Sequence, residues 1–254
     1  NVTFSLTTIT GDNTQYGGAY AIHGGNGDHD NGATLSLVSE AVNSASATSN
    51  AKGYAYTDGA ETEISGTLSV TSSGISRATA RIETGTAFSL VAIGVVVMSA
   101  DASGEFRAYV KSGNGNRTAA RNIIITTIYE AAAKAKTSQT GVQVSGVDVD
   151  VNKATADVTT VAFAGLDGDG SGSVDATGDD DADGITITVT GNVNSIAGVI
   201  ENTHIALADC SVNELLSKLS SVQYAAVQNT TVGETNYITI NSYLNADPDD
   251  ADDG

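Results

Sequence analysis

Residues 61–98 constrain the fold of this chain more than any other stretch. Ile64, Leu68 and Val70 lead into Ile75–Ile82 and Phe88–Met98, with Gly66, Gly74, Gly85 and Gly94 as punctuation. Apolar and β-branched residues that alternate with Ser and Thr are the pattern of half-buried strands. Within it, Ser89–Met98 (SLVAIGVVVM) is apolar on both faces and predicts a central core strand, because an exposed copy would aggregate. Further strands are expected at 34–39, around Tyr54 and Tyr56, at 105–111, from Arg121, at 141–151, 154–163, 185–193, 196–208, 222–228 and 235–244. Ser112–Asn116 (SGNGN) has the Asn/Gly content of a hairpin turn. Two stretches read as helix. One is 212–222, where Ser211 and Glu214 make a capping box ahead of Leu215, Leu216 and Leu219. The other is Tyr129–Lys136 (YEAAAKAK), which has high helix propensity. The expected fold is mainly β, an antiparallel β-sandwich or jelly-roll with one or two short helices.

Composition agrees with many strands and turns. The 254 residues include 28 glycines, only 16% are charged, and a sizeable core is within reach at this length. The formal net charge of −19 argues against nucleic acid and against anionic membrane surfaces as partners. Twelve of the thirty acids lie in 167–183 and in the tail 247–253, so the acidity is concentrated. Cys210 stands alone, which excludes an internal disulfide and a CxxC zinc site. The longest apolar run, Ala87–Met98, is about half of what a membrane helix needs. No membrane span is expected. The chain begins at Asn1 without Met, from which an exported product with its leader removed is expected, extracellular or at the cell surface.

The most explicit chemistry lies at 165–184, GLDGDGSGSVDATGDDDADG, with seven aspartates and no cation. Asp167, Asp169 and Ser171 stand at alternate positions, followed by Gly172, Ser173 and Asp175; Asp179, Asp181 and Asp183 then repeat the spacing. Oxygen ligands so placed suit Ca²⁺, which would also relieve the repulsion among the acids. The stretch resembles the aspartate-rich calcium loops of EF-hands, dockerins and thrombospondin type-3 repeats over about twenty residues. It departs from an EF-hand in having Gly178 where that loop places a bidentate Glu, and in its strand-like flanks Val158–Phe163 and Ile185–Thr190. The resemblance implies a calcium-bound connection between two strands. The alternative is a solvated acidic turn.

Other candidates are weaker. His23, Asp28, His29 and Asp30 form a mixed nitrogen and oxygen set that would suit a second metal site, or belong to a surface loop. Val2, Phe4 and Leu6 alternate with Thr and Ser at the N-terminus; they form either the first strand of the domain's own sheet or a strand donated to a neighbouring subunit. Sequons at Asn1, Asn116 and Asn229 permit glycosylation. Three segments are expected: an N-terminal strand at 1–10, one β-rich domain at 11–244 with the acidic loop 165–184, and an acidic tail at 245–254. Outside the Asp loop no internal repeat stands out.

Catalytic patterns are missing. No G-x-S-x-G elbow, P-loop or dinucleotide fingerprint occurs, His204 lies in a strand-like run, and no pair of carboxylates is distinguished. The chain is therefore expected to be a non-enzymatic, secreted structural protein that assembles with itself into a filament, pilus-like fibre, sheath or surface layer, with Ca²⁺ in the Asp-rich loop. The alternative is a calcium-dependent lectin- or adhesin-like module for a glycan or surface ligand, with Tyr16, Tyr20, Tyr54 and Tyr56 as contacts. A viral tube or capsid protein is the third reading.

Overall fold

The computed structural model describes residues 4–9, 13–15, 34–59, 61–113, 115–165 and 172–245. Among them nine strands form one sheet: β1 (Phe4–Ile9), β2 (Asn13–Gln15), β3 (Thr34–Asp58), β4 (Thr62–Lys111), β5 (Arg117–Gly165), β6 (Gly172–Ala176), β7 (Ile185–Gln228), β8 (Thr230–Val232) and β9 (Ile238–Asn245). Every pairing between them is parallel. This overturns the expected antiparallel sandwich or jelly-roll.

Parallel neighbours joined by short turns require an unusual path. The 50 residues of β4, run straight, would span about 165 Å. Yet the Gly59 amide, just before β4, donates to the Lys111 carbonyl at its end, at 3.0 Å. The strand must therefore bend back on itself, and β5 repeats the course one layer higher. Its register runs from Thr62↔Thr118 to Val110↔Ala164, a step of 56 residues that falls to 54. Register shifts between Ile64 and Thr67 and between Thr84 and Ala87 mark irregularities along this path. One parallel sheet thus curls into a half-barrel whose two walls face each other.

Contacts between non-neighbouring rungs show which residues face across. Ser76, whose lateral partners are Asn13 and Ala131, donates instead to the Ser103 carbonyl at 2.8 Å, and its hydroxyl lies 3.0 Å from that of Ser49. Phe106 stacks on Tyr129 across the interior with ring centroids 6.1 Å apart. Thr127 donates to the Val161 carbonyl at 2.9 Å. Interior positions follow period two, as in Leu68, Val70, Ser72, Ser76, Ala78 and Ala80, and again in Ile123, Ile125, Thr127, Tyr129, Ala131 and Ala133. Many of them are Ala or Ser, so the walls approach closely.

Stacking in register puts like residues above like. Tyr56, Tyr109 and Phe163 form a ladder with centroids 4.9 Å apart at each step and rings within 5° of parallel. That spacing is the distance between neighbouring strands. Between rungs, Arg77 and Glu130 pair through the guanidinium.

Both expected helices are strand. Residues 129–136 lie within β5 and 212–222 within β7. Propensity is a weak prior, and in each case ladder hydrogen bonds to a neighbouring rung override it. The SGNGN turn does not make a hairpin either; it carries the chain from β4 to the parallel β5. Residues 141–151 and 154–163 form one continuous strand.

The interior carries a polar bridge. Asn152 is fully buried; its Oδ1 accepts from Thr137 at 2.9 Å and its Nδ2 donates to the Gly198 carbonyl at 3.0 Å. Asn152→Ala leaves the Thr137 hydroxyl and the Gly198 carbonyl without this partner and is expected to cost about 1–3 kcal/mol, measurable by urea unfolding.

Tyr129 gives the fold a pH dependence. Burial pushes its phenol above the ordinary value, while its hydrogen bond with Ser221 at 2.8 Å acts the other way. A raised folded-state pKa means that the folded protein holds this proton more tightly than the unfolded chain does. The stabilisation is complete below pH ~10 and is lost as pH rises through the folded value. Stability should therefore fall above about pH 10, and Tyr129→Phe should flatten that limb in thermal melts taken across the alkaline range.

Candidate functional site

Two places stand apart from the repeating rungs. They are the stacked turns at one end of the coil and the open edge left by β7.

The turn end gathers Gly59, Ser112, Gly113 and Asn116 with the segments 177–184 and 233–237. The step per coil is 56 residues at Ala120↔Ala176 and 62 at Ile123↔Ile185, so residues 177–184 hold the extra length of this rung. The described half of the acidic stretch is tied down by its neighbours. Ala176 and Ile185 donate their amides to the carbonyls of Glu234 and Tyr237, at 2.8 and 3.0 Å. Thr177 and Gly178 donate to Ala120 and Arg121, at 2.8 and 3.1 Å. Asn236 caps the carbonyls of Gly178 and Asp180, and the Tyr237 hydroxyl donates to Ala182 at 2.9 Å.

Arginine answers the buried acids of this turn. Asp175, only 4% exposed, pairs with Arg117 and accepts the Gly233 amide at 2.8 Å. Asp183, 7% exposed, accepts from Arg121 Nε at 2.9 Å, and the same guanidinium reaches Asp180. The hydrogen bond to Asp175 raises the pKa of Arg117, and that to Asp183 raises the pKa of Arg121, so both stay charged. A buried carboxylate needs a cation or several donors, and here the preceding rung supplies them. Asp179 and Asp181 are exposed, and Ser173 lies in β6 with its carbonyl accepting from Ser112 at 2.7 Å. Asp167, Asp169 and Ser171 lie outside the described residues. Among the described residues no three His, Cys, Asp or Glu side chains converge as a metal site.

The sequence of the loop does not point to Arg117 and Arg121; the coil step brings them there, setting Thr118 and Ala119 beside Val174 and Asp175.

The remaining candidates separate. His23, Asp28, His29 and Asp30 lie outside the described residues, as do Asn1, Val2, Tyr16 and Tyr20. Phe4 and Leu6 belong to β1, which runs in register with Leu68 and Val70 of the same chain. Tyr54 donates to Glu105 at 2.6 Å, and Tyr56 stacks on Tyr109. Asn116 donates its side-chain amide to the Gly59 carbonyl, and Thr118 of that sequon is buried against Ser112 at 2.9 Å, so a glycan there would break the turn stack. Asn229 is exposed, with φ 49° at the turn after β7.

The second place is the edge. β9 covers only Ile185–Asn192 of β7. From there on, among the described residues, β7 is hydrogen-bonded on one side alone, to β5. Its return half, 204–228, carries Leu207, Val212, Leu215, Leu216, Leu219 and Val222, each about half exposed or more. Bare backbone donors and acceptors beside apolar side chains make a template for another strand. Among the described residues no helix is long and apolar enough to cross a membrane. In comparisons with known proteins, the chain matches no family model, no curated protein and no solved structure.

Proposed function

We propose that the chain is a structural protein that assembles with itself into an extracellular filament, sheath or surface layer. The open edge at 204–228 carries the reading. A protein that acts alone protects such an edge with charges, proline, a bulge or a covering segment. Here 25 positions hold one acid and one base beyond Asp209, no proline, and a row of exposed Leu and Val. Small interior residues and long, stacked rungs suit mechanical work rather than a reaction cleft.

Calcium enters this proposal through Asp167, Asp169 and Ser171, with the exposed Asp179 and Asp181 as further ligands; Asp175 and Asp183 are held by arginine. Electron microscopy of the purified chain, with calcium and then with excess chelator, tests both parts. Fibres or sheets in calcium that fray on chelation are the expected result. Ordered assemblies indifferent to the chelator would remove the calcium. Dispersed single particles at high protein concentration in both conditions would overturn the structural reading.

A further inference from the structure

We propose that the 204–228 edge joins a second copy of this chain by antiparallel pairing about a two-fold axis at Leu216, an inference that rests on the self-assembly reading. Register decides it. On a helix, Glu214 and Lys218 would be neighbours four residues apart. On strand β7 they stand about 13 Å apart on one face, too far to pair with each other. Both are exposed. The β5 register sets the faces: Asp148, Asp150 and Asn152 are interior and stand beside Ser211, Asn213 and Leu215, so Glu214, Leu216 and Lys218 look outward.

An antiparallel partner centred on Leu216 sets Glu214 opposite the second copy's Lys218, and Lys218 opposite its Glu214. Leu216 meets its own counterpart between them. Outward along the same face, Val212 meets Ser220 and Cys210 meets Val222; on the other face Leu215 meets Ser217 and Leu219 meets Asn213. No like charges oppose each other over the whole pairing. Leu216 is also the midpoint of 204–228, so the full edge of each copy is used and none overhangs. Such a contact is isologous and self-complementary, so it closes at a dimer, and extension into a filament needs a second contact elsewhere on the chain. The competing arrangement lays the second copy's 34–58 strand parallel on this edge, as the next rung of a continuous coil. That places Thr48 opposite Lys218 and Ser44 opposite Glu214 and leaves both charges unanswered.

The test is sedimentation equilibrium on the full chain with Lys218→Glu, Glu214→Lys and the double exchange. Each single exchange sets like charges opposite twice per two-fold contact. It should weaken the contact roughly tenfold or more, and the double exchange should restore it. A Cys210→Ser/Leu216→Cys chain, mildly oxidised, should give a covalent dimer through residue 216, because only the two-fold register brings that position to its own copy. Assemblies unaffected by the single exchanges, with no cross-link at 216, would overturn the register and leave self-assembly standing. A wild-type chain that stays monomeric would overturn both. Dimers that respond to the exchanges but never extend would support the two-fold contact and sink the filament.

Discussion

Phe106→Ala should be the most damaging single truncation in the described core, costing about 3–5 kcal/mol. Phe106 is fully buried, reaches from the return half of β4 toward the opposite wall, and stacks on Tyr129. Its neighbours cannot close the gap. The interior around it is built largely from Ala and Ser, whose short side chains have no reach, and the walls are fixed in position by backbone ladders on both sides. Gly104, whose missing Cβ leaves room 2.8 Å from the Phe106 ring, shows how closely the ring is fitted. Denaturant unfolding should show the full loss at an unchanged slope. Phe106→Leu, which keeps most of the volume, should recover more than half of it. A loss below about 1 kcal/mol would mean that the walls are not packed face to face here.

Gly165→Ala should follow closely, with a loss of about 3 kcal/mol or more. Gly165 ends β5 with φ +113°, a conformation that a side chain rarely adopts, and it stands in register with Gln228. An added Cβ would lie 1.8 Å from the Gln228 carbonyl oxygen, which is backbone and cannot swing aside. The end of β5 would have to move away from Gln228. The damage should therefore be local as well as global: amides of 172–178 should exchange faster in Gly165→Ala, while those in the middle of β4 and β5 keep their order of protection. Gly198→Ala makes a suitable control, since an added Cβ there meets nothing within 4 Å. Equal stability of the Gly165→Ala and wild-type chains would refute the close approach.

The acidic turn links these stability arguments to the candidate site. Seven clustered aspartates read as a demand for a cation, and two arginines from the preceding rung meet part of that demand at Asp175, Asp180 and Asp183. Asp179 and Asp181 stay exposed. The loop's anionic character was legible from its residues. Its counter-ions were not, because they lie some sixty positions earlier and meet it only through the coil.

The same distinction runs through the whole chain. Alternation of Ile, Leu and Val with Ser and Thr determined that most of these residues are strands with one face inward, as Leu68, Val70, Ile185 and Ile187 are; Ser89–Met98, apolar on both faces, was expected in the core throughout, but Val91, Ile93 and Val97 are exposed. Alternation is local information, since side chains on a strand point to opposite sides whatever the strand pairs with. Strand direction is not local. An inward face with a polar outward face looks alike in an antiparallel sandwich and in a curled parallel sheet, and β4 and β5 carry no proline; Gly66 and Gly85, at the irregularities of β4, fit a turn between antiparallel strands equally well. A repeat would have separated them. Ser36-Leu-Val38 recurs as Ser89-Leu-Val91, and Ala55-Tyr56 as Ala108-Tyr109 and Ala162-Phe163, each pair in register, but the recurrence is too sparse to see without the ladder. Tertiary structure alone decided that 212–222 is strand, because a bonded row of β5 amides and carbonyls outweighs a helix propensity worth a few tenths of a kcal/mol per residue, roughly. That decision also moved Glu214 and Lys218 from neighbours on a helix to separate charges on an open edge.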